Sequence, residues 1–210
     1  MPTNADTTPE PQAAAEDLFV AFANTLEWDR GDAVDEIPDA AALLAWLRSR
    51  GLISERGRVA ELGRLRRDER EAARRLERFQ RLRGLLHDIA ARTSAGHAPT
   101  VAQLRELNHI LRHGLHYHQL RLDRDRATYT LAQIGDRLDQ ARATIASGLA
   151  QFLADEAPER LRTCANDGCR FVFVDRSPAG RRRWCDMRTC GNQAKVARHR
   201  ARARESGTSE

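Results

Sequence analysis

The chain has 210 residues, of which 41% are hydrophobic and 31% are charged, and its formal net charge is +5. No apolar run approaches the length of a membrane span, and the first residues lack the basic start and apolar centre of a signal peptide. We therefore expect a cytoplasmic protein with no membrane partner, built from one domain of ordinary size and one small module.

Helical spacing of apolar residues dominates the first half of the chain. Asp39 is suited to cap one helix and Gly51 to end it, and a later, densely charged stretch can break near Gly63. The predicted elements are a disordered tail over 1–12, a helix over 13–28, a helix over 40–50, and one long helix or two shorter ones over 58–93.

In residues 100–157 the spacing of apolar residues changes from helical to alternating and back. Thr100 and Gln103 form a capping box, Gly114 stops the helix that follows, and Pro158 marks a linker. The predicted elements are a helix over 100–112, a β-hairpin from 115–122 and 126–131, and a helix over 136–156. Residues 13–157 are therefore predicted to form a mainly α domain with a small β-hairpin.

All four cysteines lie in the last quarter of the chain. Cys164 and Cys169 enclose four residues, as do Cys185 and Cys190, and fifteen residues separate the two pairs. Two close pairs joined by a short ribbon are typical of a tetrahedral zinc site. Two structural disulfides or four free thiols are the alternatives, and nothing in the sequence indicates the oxidising compartment that disulfides need. We predict one structural zinc ion.

The cysteines organise a small module over 160–204. Residues 171–174 alternate as a strand, 181–184 are predicted to return as a second strand, and a helix follows Cys190. The module is thus predicted to be a zinc-bound β-ribbon plus helix, treble-clef-like, followed by a disordered tail over 205–210. Because so short a segment buries little apolar area, the metal must supply much of its folding energy.

Positive charge is concentrated in this module. From Arg160 to Arg204 there are twelve arginines and one lysine against three acids, a net charge of +10, so the rest of the chain carries −5. Charge and counterion release drive phosphate binding, so the module is predicted to bind DNA. The candidate contacts are Arg181, Arg182, Arg183, Arg188, Lys195, Arg198, His199, Arg200, Arg202 and Arg204.

The segment 164–204, above all RRRWCDMRTCGNQAKVARHRAR, resembles the CGNR zinc-finger domain of bacterial proteins. The likeness includes the tryptophan before Cys185 and the Gly–Asn pair after Cys190, whereas Gln193 stands where the family name has arginine. FANTLEWDR and ALLAWLRSRGLI are similar to the N-terminal ABATE-type domain of the same proteins. The resemblance implies a stress-related transcription regulator whose N-terminal domain senses a ligand.

Candidate ligand contacts lie within FANTLEWDR. The resemblance implies Asn24 and Thr25, while Trp28, on an apolar stripe, is either a core residue or a wall of the pocket. His109 and His113 lie four apart on a helix and could bind metal, although packing or surface roles are commoner for such a pair. No catalytic constellation is visible, so an enzyme is not expected.

The leading hypothesis is a DNA-binding regulator with a ligand-sensing or dimerising body. The alternative is a zinc-dependent module that docks an acidic protein or RNA without sequence-specific DNA binding. The expected partners are DNA, an unidentified small ligand and a second copy of the chain.

Overall fold

The computed structural model describes residues 18–29, 32–115, 117–123 and 128–206. The predicted N-terminal tail and the last four residues lie outside them. Among the described helices, none is long and apolar enough to cross a bilayer. The described elements are α1 (18–23), β1 (Leu26–Asp29), β2 (Asp32–Asp35), α2 (Ala40–Ser49), α3 (Glu55–Leu65), α4 (Glu69–Ser94), α5 (Val101–His113), β3 (Tyr117–Asp123), β4 (Thr128–Ile134), α6 (Arg137–Asp155), β5 (Leu161–Thr163), β6 (Val172–Val174) and α7 (Asn192–Ser206).

Local signals set several helix boundaries as predicted. Asp39 caps α2, since its carboxylate accepts a hydrogen bond of 2.8 Å from the Ala42 amide, and Gly51 lies just beyond the helix with φ of 72°. Thr100 and Gln103 form the capping box that begins α5. These contacts satisfy backbone groups that a helix end leaves unpaired, which is why the sequence alone can locate them.

The first helix is shorter than predicted. Its described part ends at residue 23, and Trp28 lies on β1 instead of on a helical stripe. Thr25 turns the chain, because its hydroxyl donates to the Phe22 carbonyl (2.8 Å) while its own carbonyl accepts from the Glu36 amide (2.8 Å). The second bond lies next to the antiparallel β1–β2 hairpin, in which Leu26 pairs with Asp35. The body therefore holds two hairpins where the sequence predicted one.

The charged stretch forms two helices, α3 and α4, rather than one. The break lies at Asp68 and not at Gly63, which is inside α3. The Asp68 carboxylate accepts a hydrogen bond of 2.9 Å from the Glu71 amide and so starts α4. A capping side chain outweighed the weak preference of a single glycine for a helix break.

The core of the body forms around α4. The Phe22 ring contacts Trp46 and Phe79, with ring centroids 5.2 and 6.0 Å away, and Phe19 contacts Phe152 at 5.9 Å. These side chains come from α1, α2, α4 and α6, so the apolar stripes of four helices close on one centre.

The β3–β4 hairpin confirms the strand pattern predicted before α6. Its strands pair antiparallel from Tyr117 opposite Ile134 to Asp123 opposite Thr128. Leu120, Leu122 and Tyr129 are exposed on it.

The cysteine module is fused to the body through its β5–β6 sheet. Leu161 and Val172 are buried in the same core as the helices of the body. At the C-terminal end of α4, the Thr93 hydroxyl lies 3.2 Å from the Leu161 carbonyl, and the Ser94 hydroxyl accepts a hydrogen bond of 2.7 Å from the Thr163 amide. Apolar burial and hydrogen bonds thus join the two parts.

The ribbon of the module differs from the predicted one. β6 pairs antiparallel with β5, Leu161 opposite Val174, and residues 181–184 do not form a strand. The reason is the buried Asp175, whose carboxylate accepts a hydrogen bond of 2.8 Å from the Arg182 amide and curls the chain after β6. α7 also continues to Ser206, into the segment predicted as a tail.

Asn24 anchors the module to the body. Its side-chain amide donates to the Val172 carbonyl and its side-chain oxygen accepts from the Val172 amide, both at 2.9 Å. Asn24→Ala leaves both backbone groups of a buried residue unpaired, so we expect the free energy of unfolding to fall by about 1–3 kcal/mol in urea denaturation. Asn24→Asp, which keeps the acceptor and loses the donor, should fall between parent and alanine variant. Equal stability of Asn24→Ala and the parent would refute the anchoring role.

Candidate metal centre and nucleic-acid surface

Four sulfur atoms meet inside the module. The Sγ atoms of Cys164, Cys169, Cys185 and Cys190 all lie within 4.8 Å of one another. Cys185 Sγ is 3.5 Å from Cys169 Sγ and 3.7 Å from Cys190 Sγ, far beyond the length of a disulfide bond. Four thiolates about 2.3 Å from a tetrahedral zinc ion stand about 3.8 Å apart, so the cluster fits one zinc ion. Because all four donors are protein sulfurs, no open position is left for water and the site is structural.

The surroundings of Cys169, Cys185 and Cys190 shift the pKa values of their thiols in different directions. Burial raises the pKa of Cys169 to about 11, and burial followed by the hydrogen bond with Cys169 raises the pKa of Cys185. Burial also acts to raise the pKa of Cys190, but hydrogen bonds from Asn166 and the other cysteines outweigh it and lower that pKa. Four negative charges at these separations repel one another, so a divalent cation is required to hold all four as thiolates.

Cys190 lies on a single helical turn, Met187–Gly191, that begins two residues after Cys185. Asp186 begins the turn, since its carboxylate accepts hydrogen bonds from the backbone amides of Arg188 (2.6 Å) and Thr189 (3.0 Å). Gly191 ends this turn, and a Cβ there would be 2.8 Å from Met187 Sδ and 3.2 Å from Trp184 Cδ1. A larger residue after Cys190 would therefore displace the exposed Met187 side chain and crowd Trp184.

Gln193 takes part in the hydrogen bonding around the sulfur atoms. Its side-chain oxygen accepts a hydrogen bond of 2.9 Å from the Asn166 amide nitrogen, which also lies 3.4 Å from Cys190 Sγ. The two protons of Asn166 thus serve Gln193 and the Cys190 sulfur together. An arginine at this position has no acceptor to offer Asn166, so glutamine supplies a contact that arginine cannot.

Most of the candidate DNA contacts form an exposed basic surface on the module. Those with exposed side chains are Arg181, Arg182, Arg183, Arg188, Lys195, Arg198, His199 and Arg200. Arg202 and Arg204 lie on α7, beyond the side chains that the structure describes. The described part of this helix presents no acid before Glu205, so its positive charge is not neutralised locally.

Arg182 differs from the other candidates because its guanidinium is engaged. Nε donates to the Trp184 carbonyl (2.8 Å), Nη2 donates to the Cys185 carbonyl, and the group lies 5.0 Å from the centroid of the Phe173 ring. These contacts hold the backbone around a zinc ligand. We therefore assign Arg182 a structural role, which is to hold the backbone at Trp184 and Cys185.

The three candidate ligand contacts have different surroundings. Trp28 lines a cleft of about 730 Å³ between α4 and the cysteine module. Asn24 and Thr25 do not line it, because Asn24 binds the Val172 backbone and Thr25 is fully buried, accepting from Arg83 at 3.1 Å. One face of α4 forms the floor of this cleft, and none of its residues was predicted as a ligand contact. The available signal was a set of mostly polar residues spaced three and four apart on one face of this charged helix, namely Gln80, Arg83, Gly84, His87 and Asp88.

His109 and His113 lie on one face of α5 with their ring centroids 4.2 Å apart. Both are exposed. In the part of the chain that the structure describes, the four cysteines are the one group of three or more potential ligands close enough to share a metal. The two histidines have no third ligand among those residues.

Comparison with protein families agrees with this geometry. Residues 16–156 match the ABATE family model, described as "Putative stress-induced transcription regulator", and residues 160–203 match the model described as "CGNR zinc finger". The first match alone spans more than half of the chain, and the order of the two is the predicted one. Neither description names an enzyme. A search of curated proteins finds no match to the chain.

Proposed function

The chain belongs to the ABATE family and carries a CGNR zinc finger, and on that premise we propose that it is a transcription regulator whose zinc-held module binds DNA and whose helical body senses a small ligand. The observation that carries the proposal is the uncompensated basic surface of α7, rooted directly in the metal centre. It explains why a module of this size holds a structural metal, since a fixed helix presents its charges without a further loss of conformational entropy.

The dimensions of α7 suit a duplex. Fifteen helical residues extend about 22 Å, and a helix of ordinary diameter enters the major groove of B-DNA. Lys195, Arg198, His199 and Arg200 are exposed along it, and Arg188 is exposed on the turn below. Arginine and lysine contact phosphates and guanine edges, so the same residues can provide both affinity and base discrimination.

The proposal predicts a loss of affinity and of salt dependence when α7 loses charge. The triple variant Lys195→Ala, Arg198→Ala, Arg200→Ala should bind duplex DNA on the order of a hundredfold more weakly near 0.15 M salt. The slope of log affinity against log salt should fall by about 2.7, from three lost phosphate contacts. Fluorescence anisotropy over a salt series measures both quantities.

A matched control removes the same charge from the body. The variant Arg70→Ala, Arg74→Ala, Arg81→Ala alters three exposed arginines of α4 and should keep the slope of the parent. Parent-like affinity in the α7 variant would exclude α7 as the contact surface. Stronger binding to RNA than to duplex DNA at equal salt would favour an RNA-docking module instead.

A further inference from the structure

The cleft between the body and the zinc module has the size and position of a ligand site. Its volume of about 730 Å³ suits a small molecule, and such sites are common where two structural units meet. One face of α4 forms the floor, and the loop between Cys164 and Arg170 forms the opposite wall. A molecule bound there would touch the body and the first cysteine pair at once.

Gly84 leaves space in the floor of the cleft. It lies in the middle of α4, where glycine is less favourable than alanine, and its open side faces no atom within 4 Å of an ideal Cβ. Neither packing nor backbone conformation in the described structure requires a glycine there. The missing side chain leaves this part of the floor open.

A cation already lies on the aromatic wall. The Arg170 guanidinium is 4.5 Å from the centroid of the Trp28 ring, a distance at which cation and π-system attract. Arg170 directly follows Cys169 and has φ of 58°, the left-handed region that is unfavourable for an arginine. Among the described residues it is the one non-glycine residue with positive φ. Such strain at a position that joins two units is typical of a functional site.

The charges around the cleft favour a positive occupant. The guanidinium of Arg83 is neutralised by Asp35, with two nitrogen–oxygen pairs at 2.7 Å. Asp88 and Asp167 also line the cleft, and neither has a hydrogen-bond or ion-pair partner among the described residues. Both carboxylates are therefore free to act as counter-charges to a bound cation.

Hydrogen-bond acceptors reinforce this preference. His87 lines the cleft, and its Nε2 lies 2.7 Å from the Ala23 carbonyl, so Nε2 carries the proton and Nδ1 is left as an acceptor. Burial lowers the pKa of His87 and keeps the ring neutral near pH 7. The neutral ring therefore offers an acceptor and adds no positive charge to the cleft.

We propose that this cleft binds a small planar organic cation, which replaces the Arg170 guanidinium on the face of Trp28. The aromatic wall supplies stacking, and Asp88 and Asp167 supply the counter-charge. Displacement of Arg170 removes one link between the body and the loop that carries Cys164 and Cys169. The binding site does not depend on the proposed function. Its regulatory consequence, a changed placement of α7 on DNA, rests on the proposed function.

The experiment uses three probes of equal shape and different charge, namely benzamidinium, benzamide and benzoate. Each is titrated by calorimetry into the zinc-loaded full chain at the same pH and salt. Benzamidinium should bind at least tenfold more tightly than either of the others. Equal binding of the three probes, or no binding of benzamidinium at millimolar concentration, would overturn the proposal.

Variants then locate the site. Gly84→Leu fills the cleft and should weaken benzamidinium binding at least tenfold, while Gly84→Ala gains similar helix propensity and should bind like the parent. Arg170→Ala removes the internal competitor and should tighten binding severalfold. Parent-like binding by Gly84→Leu, or weaker binding by Arg170→Ala, would contradict this site.

Duplex DNA titrated into the same proteins separates this inference from the proposed function. DNA binding with no benzamidinium binding refutes the cleft alone. Benzamidinium binding at the cleft without DNA binding refutes the proposed function and leaves the ligand site standing.

Discussion

Replacing Cys185 with serine is expected to abolish zinc binding and to unfold residues 160–206 together. Within the module, the separate buried cluster consists of Phe173, Cys164 and Cys190, and the side chains packed against it, among them Phe171 and Trp184, are only partly buried. Structural zinc contributes on the order of 10–16 kcal/mol to modules of this kind, as much as the whole stability of a small domain. Loss of one thiolate ligand therefore removes more free energy than the remaining contacts can replace.

The body should weaken in the same variant without unfolding completely. Leu161 and Val172 would leave the core, and burial of each such side chain contributes about 1.5–3 kcal/mol. Elemental analysis measures the zinc content, circular dichroism the loss of helix α7, and limited proteolysis the segment that opens.

Thr189→Ala is the matched control, since it changes an exposed residue of the turn that carries Cys190 and keeps all four sulfurs. It should retain one zinc ion per chain. One zinc ion and parent helicity in Cys185→Ser would show that the four-sulfur site is not what holds the module.

Replacing Arg83 with leucine is expected to lower the free energy of unfolding by about 3 kcal/mol at neutral pH. Arg83 is buried, with 7% of its side chain exposed, and it ties α4 to Asp35 on β2 and to the Thr25 hydroxyl. Breaking a buried pair by removing one partner costs about 3–5 kcal/mol, and the 25% exposure of Asp35 places the effect at the lower end.

Two controls define the origin of this effect. Arg81→Leu removes an ion pair with Glu77 from an exposed site on the same helix and should change stability by less than about 1 kcal/mol. Arg83→Leu combined with Asp35→Asn removes the stranded charge and should recover part of the loss. No recovery would attribute the effect to packing of the arginine stem instead.

The effect of Arg83→Leu should also depend on pH. The hydrogen bond from Arg83 lowers the pKa of Asp35 below its ordinary value of 3.8. A carboxyl with a lowered folded-state pKa contributes stability above its unfolded pKa and loses it as the pH falls through the folded value. The difference between parent and Arg83→Leu should therefore be largest above about pH 4 and shrink in more acidic solution. A difference independent of pH would exclude the ion pair as its source.

The sequence by itself determined the features that depend on neighbouring residues. The capping contacts of Asp39 and Thr100 each join groups three residues apart, so residue type and spacing were enough to predict them. The same is true of the four cysteines, because each pair comes from one tight turn and zinc chemistry requires the turns to meet. The mainly α body and the zinc module follow from these signals.

Only the tertiary structure decided how the two parts meet. Trp28 lies on a strand because a carbonyl at Thr25 pairs with the Glu36 amide, and β6 pairs with β5 because Asp175 turns the chain away after it. Asn24 binds Val172 across 148 positions of sequence. Hydrophobic periodicity reports which face of a segment is buried and not which distant backbone it meets. The walls of the cleft come from both parts, so sequence patterns could not predict it and only the tertiary structure shows it.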